Sequence, residues 1–139
     1  MMDKIYYWDS SAILSLLIKD KHSEQAIKYY NKTNVNIISS LVIAEVLAVI
    51  ARIEREQKEL KILLDACRKS FQEGRWRLVT LSPTFDDLQK YSQLYSLRGA
   101  DLWHLTLGLS IKQELPSIKI ITFDKKLEAA AKDLEIRYE

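Results

Sequence analysis

Apolar residues in this chain fall into short dense runs, separated by longer stretches where they recur every three or four positions. The dense runs predict strands buried on both faces. They lie at residues 4–8 (KIYYW), 35–39 (VNIIS), 118–123 (IKIITF) and, as a last short piece, 136–138 (IRY). Residues 75–81 (RWRLVTL) alternate at first, as a half-covered strand does. The longer stretches predict helices at 10–20, 23–33, 40–57, 58–74, 82–97, 100–115 and 124–135. Serine caps are expected at Ser10, Ser23 and Ser82, with Pro83 in the first turn of its helix, and Gly74 is expected to end the fourth. Strands that alternate with helices pair in parallel through right-handed crossovers. The expected fold is therefore a single α/β domain over residues 1–139. It is a three-layer α/β/α sandwich with a mostly parallel sheet of four or five strands. Ligands of such sheets bind beyond the carboxyl ends of the strands, near the point where strand order reverses.

Composition adds limits more than direction. The chain of 139 residues is 47% hydrophobic and 29% charged, which suits a packed domain and excludes a disordered one. A net charge of +2 does not by itself argue for nucleic acid. Between Arg52 and Arg77 eight basic residues stand against five acidic ones, a pattern read first as a solvated face of mixed charge. The single cysteine, Cys67, sits at helical spacing with Leu63, Leu64 and Phe71, and is expected as a buried thiol in a reducing compartment. No apolar run reaches the ~18 residues of a membrane span, and the N-terminus does not read as a secretory signal. The expected location is cytoplasmic, with no membrane partner.

Four acids stand where chemistry is expected. Asp9 follows the first strand and Asp124 the fourth. Asp101 lies at the start of the helix of "RGADLWH", and Glu45 well inside the helix of "SSLVIAEVLAVIAR". Asp9 and Asp124 each have an ordinary alternative as helix N-caps. Glu45 does not, because Ser39 or Ser40 takes that role. Its neighbours three and four positions away are Leu41, Val42, Ala48 and Val49, so an unpaired carboxylate there costs several kcal/mol. The remaining bland account is an ion pair with Arg98 or Arg52. One explanation covers all four acids: a divalent cation held by Asp9, Glu45, Asp101 and Asp124. Oxygen-only ligands favour Mg²⁺ or Mn²⁺, and one cysteine with two histidines disfavours zinc. Such a site activates water and neutralises charge in phosphodiester hydrolysis.

The pieces "WDSSAIL", "SSLVIAEV", "LRGADLWHLTLG" and "IITFDKKLEAAAKDL", in this order, resemble a PIN-domain ribonuclease, and more narrowly the VapC-type toxin of a VapBC toxin–antitoxin pair. The resemblance covers nearly the whole chain. It implies an acidic quartet of Asp9, Glu45, Asp101 and Asp124. Asp9 and Asp101 would be the most direct metal ligands, Asp124 would bind directly or through water, and Glu45 would position or deprotonate the attacking water. Ser10 and Thr122 match hydroxyl positions that support the carboxylates. The resemblance also implies an RNA substrate, a Mg²⁺ or Mn²⁺ cofactor, a homodimer and a cognate antitoxin protein that silences the site. The chain departs from the pattern in "DLEIRYE", which lacks the glycine common after the last helix.

Other residues carry less. Arg98, Lys125 and Lys126 flank the acids and are candidate phosphate contacts. His104, three positions after Asp101, is read as packed or at the surface, with reach to phosphate or that acid as the sharper alternative. Trp8, Trp76 and Trp103 are read as core or dimer interface. Two rival functions keep the fold: an inactive RNA- or protein-binding module with a structural ion, and a phosphoacceptor or phosphatase-like domain in which Lys125 or Lys126 plays the late-strand lysine.

Overall fold

A computed structural model describes residues 4–31 and 33–139. Among the described residues the chain forms four strands and seven α-helices. Strand β1 (Ile5–Trp8) lies inside the sheet, paired with β2 (Val35–Ser39) on one side and β4 (Lys119–Ile121) on the other. Strand β3 (Trp76–Val79) pairs with β2 at the edge, and every pairing is parallel. The order is β3-β2-β1-β4, so the chain reverses direction across the sheet between β1 and β4. Helices α1 (Ser10–Leu17), α2 (Ser23–Tyr29), α3 (Ser40–Glu56), α4 (Lys61–Gln72), α5 (Phe85–Leu94), α6 (Gly99–Glu114) and α7 (Lys125–Asp133) flank it as the outer layers of an α/β/α sandwich.

The dense apolar run of β1 is explained by its place. Tyr6, Tyr7 and Trp8 are all buried, and alternate residues turn to opposite faces. On one face the Tyr6 ring meets Tyr29, and Trp8 meets Tyr30 and Trp76, edge to face. On the other face Tyr7 meets His104 of α6. That helix lies close against β4 because Gly108 has no side chain: a Cβ there would stand 2.7 Å from Ile120 Cδ1. The thiol of Cys67 is buried as expected and donates to the Leu17 carbonyl at 3.3 Å.

Several boundaries differ from the sequence reading. The helix expected at 82–97 begins at Phe85, where Thr84 accepts from the Asp87 amide at 3.2 Å, with Asp86 and Asp87 in the first turn. That cap and its two acids complement the helix dipole better than Ser82 and Pro83, which stay outside. Ser23 is the first residue of α2 rather than its cap. Its hydroxyl donates to the Ser15 carbonyl at 2.6 Å and accepts from the Asp20 amide at 2.8 Å, tying α2 to α1. The stretch 58–74 splits into a 3₁₀ turn, Lys58–Leu60, and α4. Gly74 does follow α4, but not in a left-handed conformation; a Cβ there would fall 2.2 Å from Trp76 Nε1. Residues 136–138 make a single bridge, Arg137 to Ile120, rather than a fifth strand. Among the described residues no helix is long and apolar enough to cross a membrane.

Candidate active site at the strand-order reversal

Asp9 leaves β1 at the reversal point and caps α1. Its Oδ1 accepts from the Ala12 amide at 3.0 Å and the Ser11 hydroxyl at 2.7 Å, while Oδ2 accepts from the Thr122 hydroxyl at 2.5 Å. Thr122 follows β4. Its oxygen accepts from the Asp124 amide at 3.1 Å, and Ser11 accepts from the Phe123 amide at 2.9 Å. The turns after β1 and β4 are thus laced together around one carboxylate that is 2% exposed. Burial pushes Asp9 up to about 6, against the three donors and His104, which favour the ionised form.

Ser10 does not do what the sequence reading assigned to it. Among the described residues its hydroxyl makes no hydrogen bond to a carboxylate, and the neighbouring Ser11 holds Asp9 instead. The run "DSS" offers both serines, and the sequence does not choose between them.

Asp124 caps α7 through Oδ1, which accepts from the Leu127 amide at 3.0 Å. Asp101 sits in the first turn of α6, partly buried. Its carboxyl is held above the usual range by burial, then by the charge of Asp124 and, more weakly, of Glu45, with His104 and Arg98 opposing. Asp9, Asp101 and Asp124 therefore all stand at helix N-termini, whose dipoles offset part of their mutual repulsion. Arg98 precedes α6 as an exposed N-cap without a side-chain bond, and Lys125 and Lys126 are exposed at the start of α7.

Glu45 is 27% exposed, not enclosed in apolar surroundings. Val42, Val46 and Ile50 form the buried stripe of α3, while Ala44, Leu47 and Ala48 face solvent. The partner of Glu45 is neither Arg98 nor Arg52 but His104, whose Nε2 lies 2.6 Å from Oε1. His104 is packed, at 1% exposure, and the acid it reaches is Glu45 rather than Asp101. Behind it stand Tyr7 and Ser39, two residues the sequence reading did not place at the site.

Among the described residues no Lys or Arg forms an ion pair with Asp9, Asp101 or Asp124. Nor, among them, do three or more His, Cys, Asp or Glu side chains come close enough together to hold a metal ion. The acids form an open group, near enough for Asp101 to sense Asp124 and Glu45. Asp9 Oδ1 already accepts two hydrogen bonds, whereas Oδ2 accepts one and keeps a second lone pair. Uncompensated carboxylates with only oxygen donors fit a hydrated Mg²⁺ or Mn²⁺, which keeps several waters and uses few protein ligands.

A sequence model of the PIN domain matches residues 6–133. Among solved structures, PAE2754 from Pyrobaculum aerophilum is similar in fold, with a TM-score of 0.58, 18% identity, and coverage of 91% of this chain and 78% of that one. VapC20 of Mycobacterium tuberculosis, a sarcin-ricin loop cleaving toxin, has a TM-score of 0.58 at 16% identity, covering 90% of this chain and 94% of that one. No curated protein sequence matches.

Proposed function

Because the chain belongs to the PIN-domain family, whose members are generally nucleases, we propose that it is a metal-dependent endoribonuclease, the toxin of a VapBC-type pair. The observation that carries this reading is the buried Asp9 carboxylate, clamped from two turns at the strand-order reversal beside Asp101 and Asp124, which have no Lys or Arg ion-pair partner among the described residues. Asp9, Asp101 and Asp124 would hold Mg²⁺ or Mn²⁺, with Glu45 beside them. When bound, the ion lowers the pKa of water and offsets charge on the scissile phosphate. The remaining work falls to the protein. Ser11, Thr122 and the Ala12 amide fix the Asp9 carboxylate. Glu45 takes the proton from the attacking water. Arg98 and Lys125, exposed beside the acids, receive RNA phosphates that the negative pocket would otherwise repel.

The same reading brings further proposals. The substrate is RNA, and the sarcin-ricin loop that VapC20 cleaves is the first to try. The protein works as a cytoplasmic homodimer and is silenced by a cognate antitoxin. The test uses purified protein and labelled RNA. Cleavage with Mg²⁺ or Mn²⁺ is expected to stop with a chelator and to fall at least ~100-fold in Asp9→Asn. RNA binding without chelator-sensitive cleavage would favour the inactive binding module instead.

A further inference from the structure

The four acids leave unexplained a chain of buried polar side chains that no part of the proposed reaction uses. Ser39, Tyr7 and His104 are each at most 1% exposed, and they come from β2, β1 and α6. The Ser39 hydroxyl lies 2.9 Å from Tyr7 Oη, which lies 2.7 Å from His104 Nδ1; Nε2 lies 2.6 Å from Glu45 Oε1.

Proton counting orders this chain. The Val42 amide donates to Ser39 Oγ at 3.3 Å. A carboxylate only accepts, so His104 Nε2 carries the proton shared with Glu45. In the neutral imidazole Nδ1 then accepts from Tyr7 and Tyr7 from Ser39; in the charged form both ring nitrogens donate and these two links reverse, while Nε2 still donates to Glu45. Burial holds the Tyr7 hydroxyl well above its ordinary pKa, which keeps it a donor. The path closes on itself, because Ser39 caps the helix that carries Glu45. Among the described hydrogen bonds, Glu45 Oε2 has no protein partner.

We propose that His104 is a positioning residue for Glu45: the Ser39–Tyr7–His104 chain presents a fixed Nε2–H that engages Oε1 and orients the carboxylate, with Oε2, which has no protein partner among the described hydrogen bonds, as the oxygen that serves the reaction. Glu45 then meets the reaction with a fixed carboxylate orientation and Oε2 leading. Because His104 follows Asp101 by three residues on α6, the same helix sets the placement of both acids.

The kinetic part rests on the nuclease reading, and the experiment separates the two. Stability and fold of His104→Leu, His104→Gln and Tyr7→Phe are first compared by circular dichroism. His104→Leu is expected to lower kcat on an RNA oligonucleotide roughly 10- to 100-fold, with KM and calorimetric Mn²⁺ affinity changed less than about threefold. His104→Gln keeps an N–H of similar reach and is expected to recover most of the loss; Tyr7→Phe falls between. If the leucine variant does not fold, the other two carry the comparison. In long-range ¹⁵N spectra of the metal-free protein, Nε2 is expected to be protonated and its signal to move in Glu45→Gln. Unchanged kcat in the variants, equal losses for Leu and Gln, or an unprotonated Nε2 would overturn the proposal. If the wild type cleaves no RNA, the nuclease reading fails by itself. The spectra then decide: an Nε2–H signal sensitive to Glu45→Gln supports the positioning, and an insensitive one refutes it.

Discussion

Asp9 has donors on both carboxylate oxygens and still keeps its proton up to about pH 6, because burial outweighs them. An unfolded aspartate releases its proton near ~3.9. Between those values the folded state binds more protons than the unfolded one, so this group's contribution to stability falls as pH rises from about 4 to 6. Asp9→Asn is expected to remove that slope and, without metal, to be at least as stable as wild type at pH 7. Urea denaturation at both ends of the window checks this. The same proton competes with a cation, so Mn²⁺ affinity is expected to drop up to about tenfold per pH unit below about 6, as read by calorimetry. Of the two adjacent serines, Ser11→Ala is expected to lower activity roughly tenfold and Ser10→Ala to leave it unchanged, because only Ser11 holds the carboxylate. At this scale sequence legibility stops early. The acids are visible because each breaks a local pattern or follows a strand. The partnership of Glu45 with His104 spans 59 positions and depends on how α3 and α6 pack, so no local spacing announces it.

Elements were easier to read than their ends. The buried strands β1, β2 and β4 announce themselves by unbroken apolar runs, and α3 by its serine cap. The edge strand β3 is weaker, with Arg77 and Leu78 both exposed, so only its central four residues pair. The start of α5 was misplaced because Ser82-Pro83 and Thr84 with its two acids are competing signals, and local sequence does not rank them. The missing glycine after α7 has a structural counterpart. Glu135 adopts φ 57°, with its amide bonded to the Lys132 carbonyl and the Ile136 amide to that of Ala131. This is a Schellman cap built on a residue with a side chain, a conformation that costs roughly 1 kcal/mol outside glycine. Glu135→Gly is expected to raise unfolding stability by up to about 1 kcal/mol, less the added freedom of the unfolded chain, as measured by denaturant titration.

For the whole molecule, the sheet order decides where the acids meet. Two strands adjacent in space but far apart in sequence, β1 and β4, bring their exits together; the alternation of strands and helices predicts their parallel pairing but not that they become neighbours. A cation that binds only the folded chain stabilises it by mass action. At 100-fold excess over Kd, Mn²⁺ is expected to add ~2.7 kcal/mol and raise Tm by roughly 8 °C, with the rise absent in Asp9→Asn. Scanning calorimetry with and without metal decides it. One contact within this arrangement has a temporal side. Asp9 and Thr122 are 113 positions apart, so at ribosomal speeds roughly 6 to 23 s separate the emergence of the two partners. Until then the growing polypeptide has its first carboxylate but not the hydroxyl that holds it. Under the nuclease reading proposed above, the site stays incomplete until Thr122 has left the ribosome.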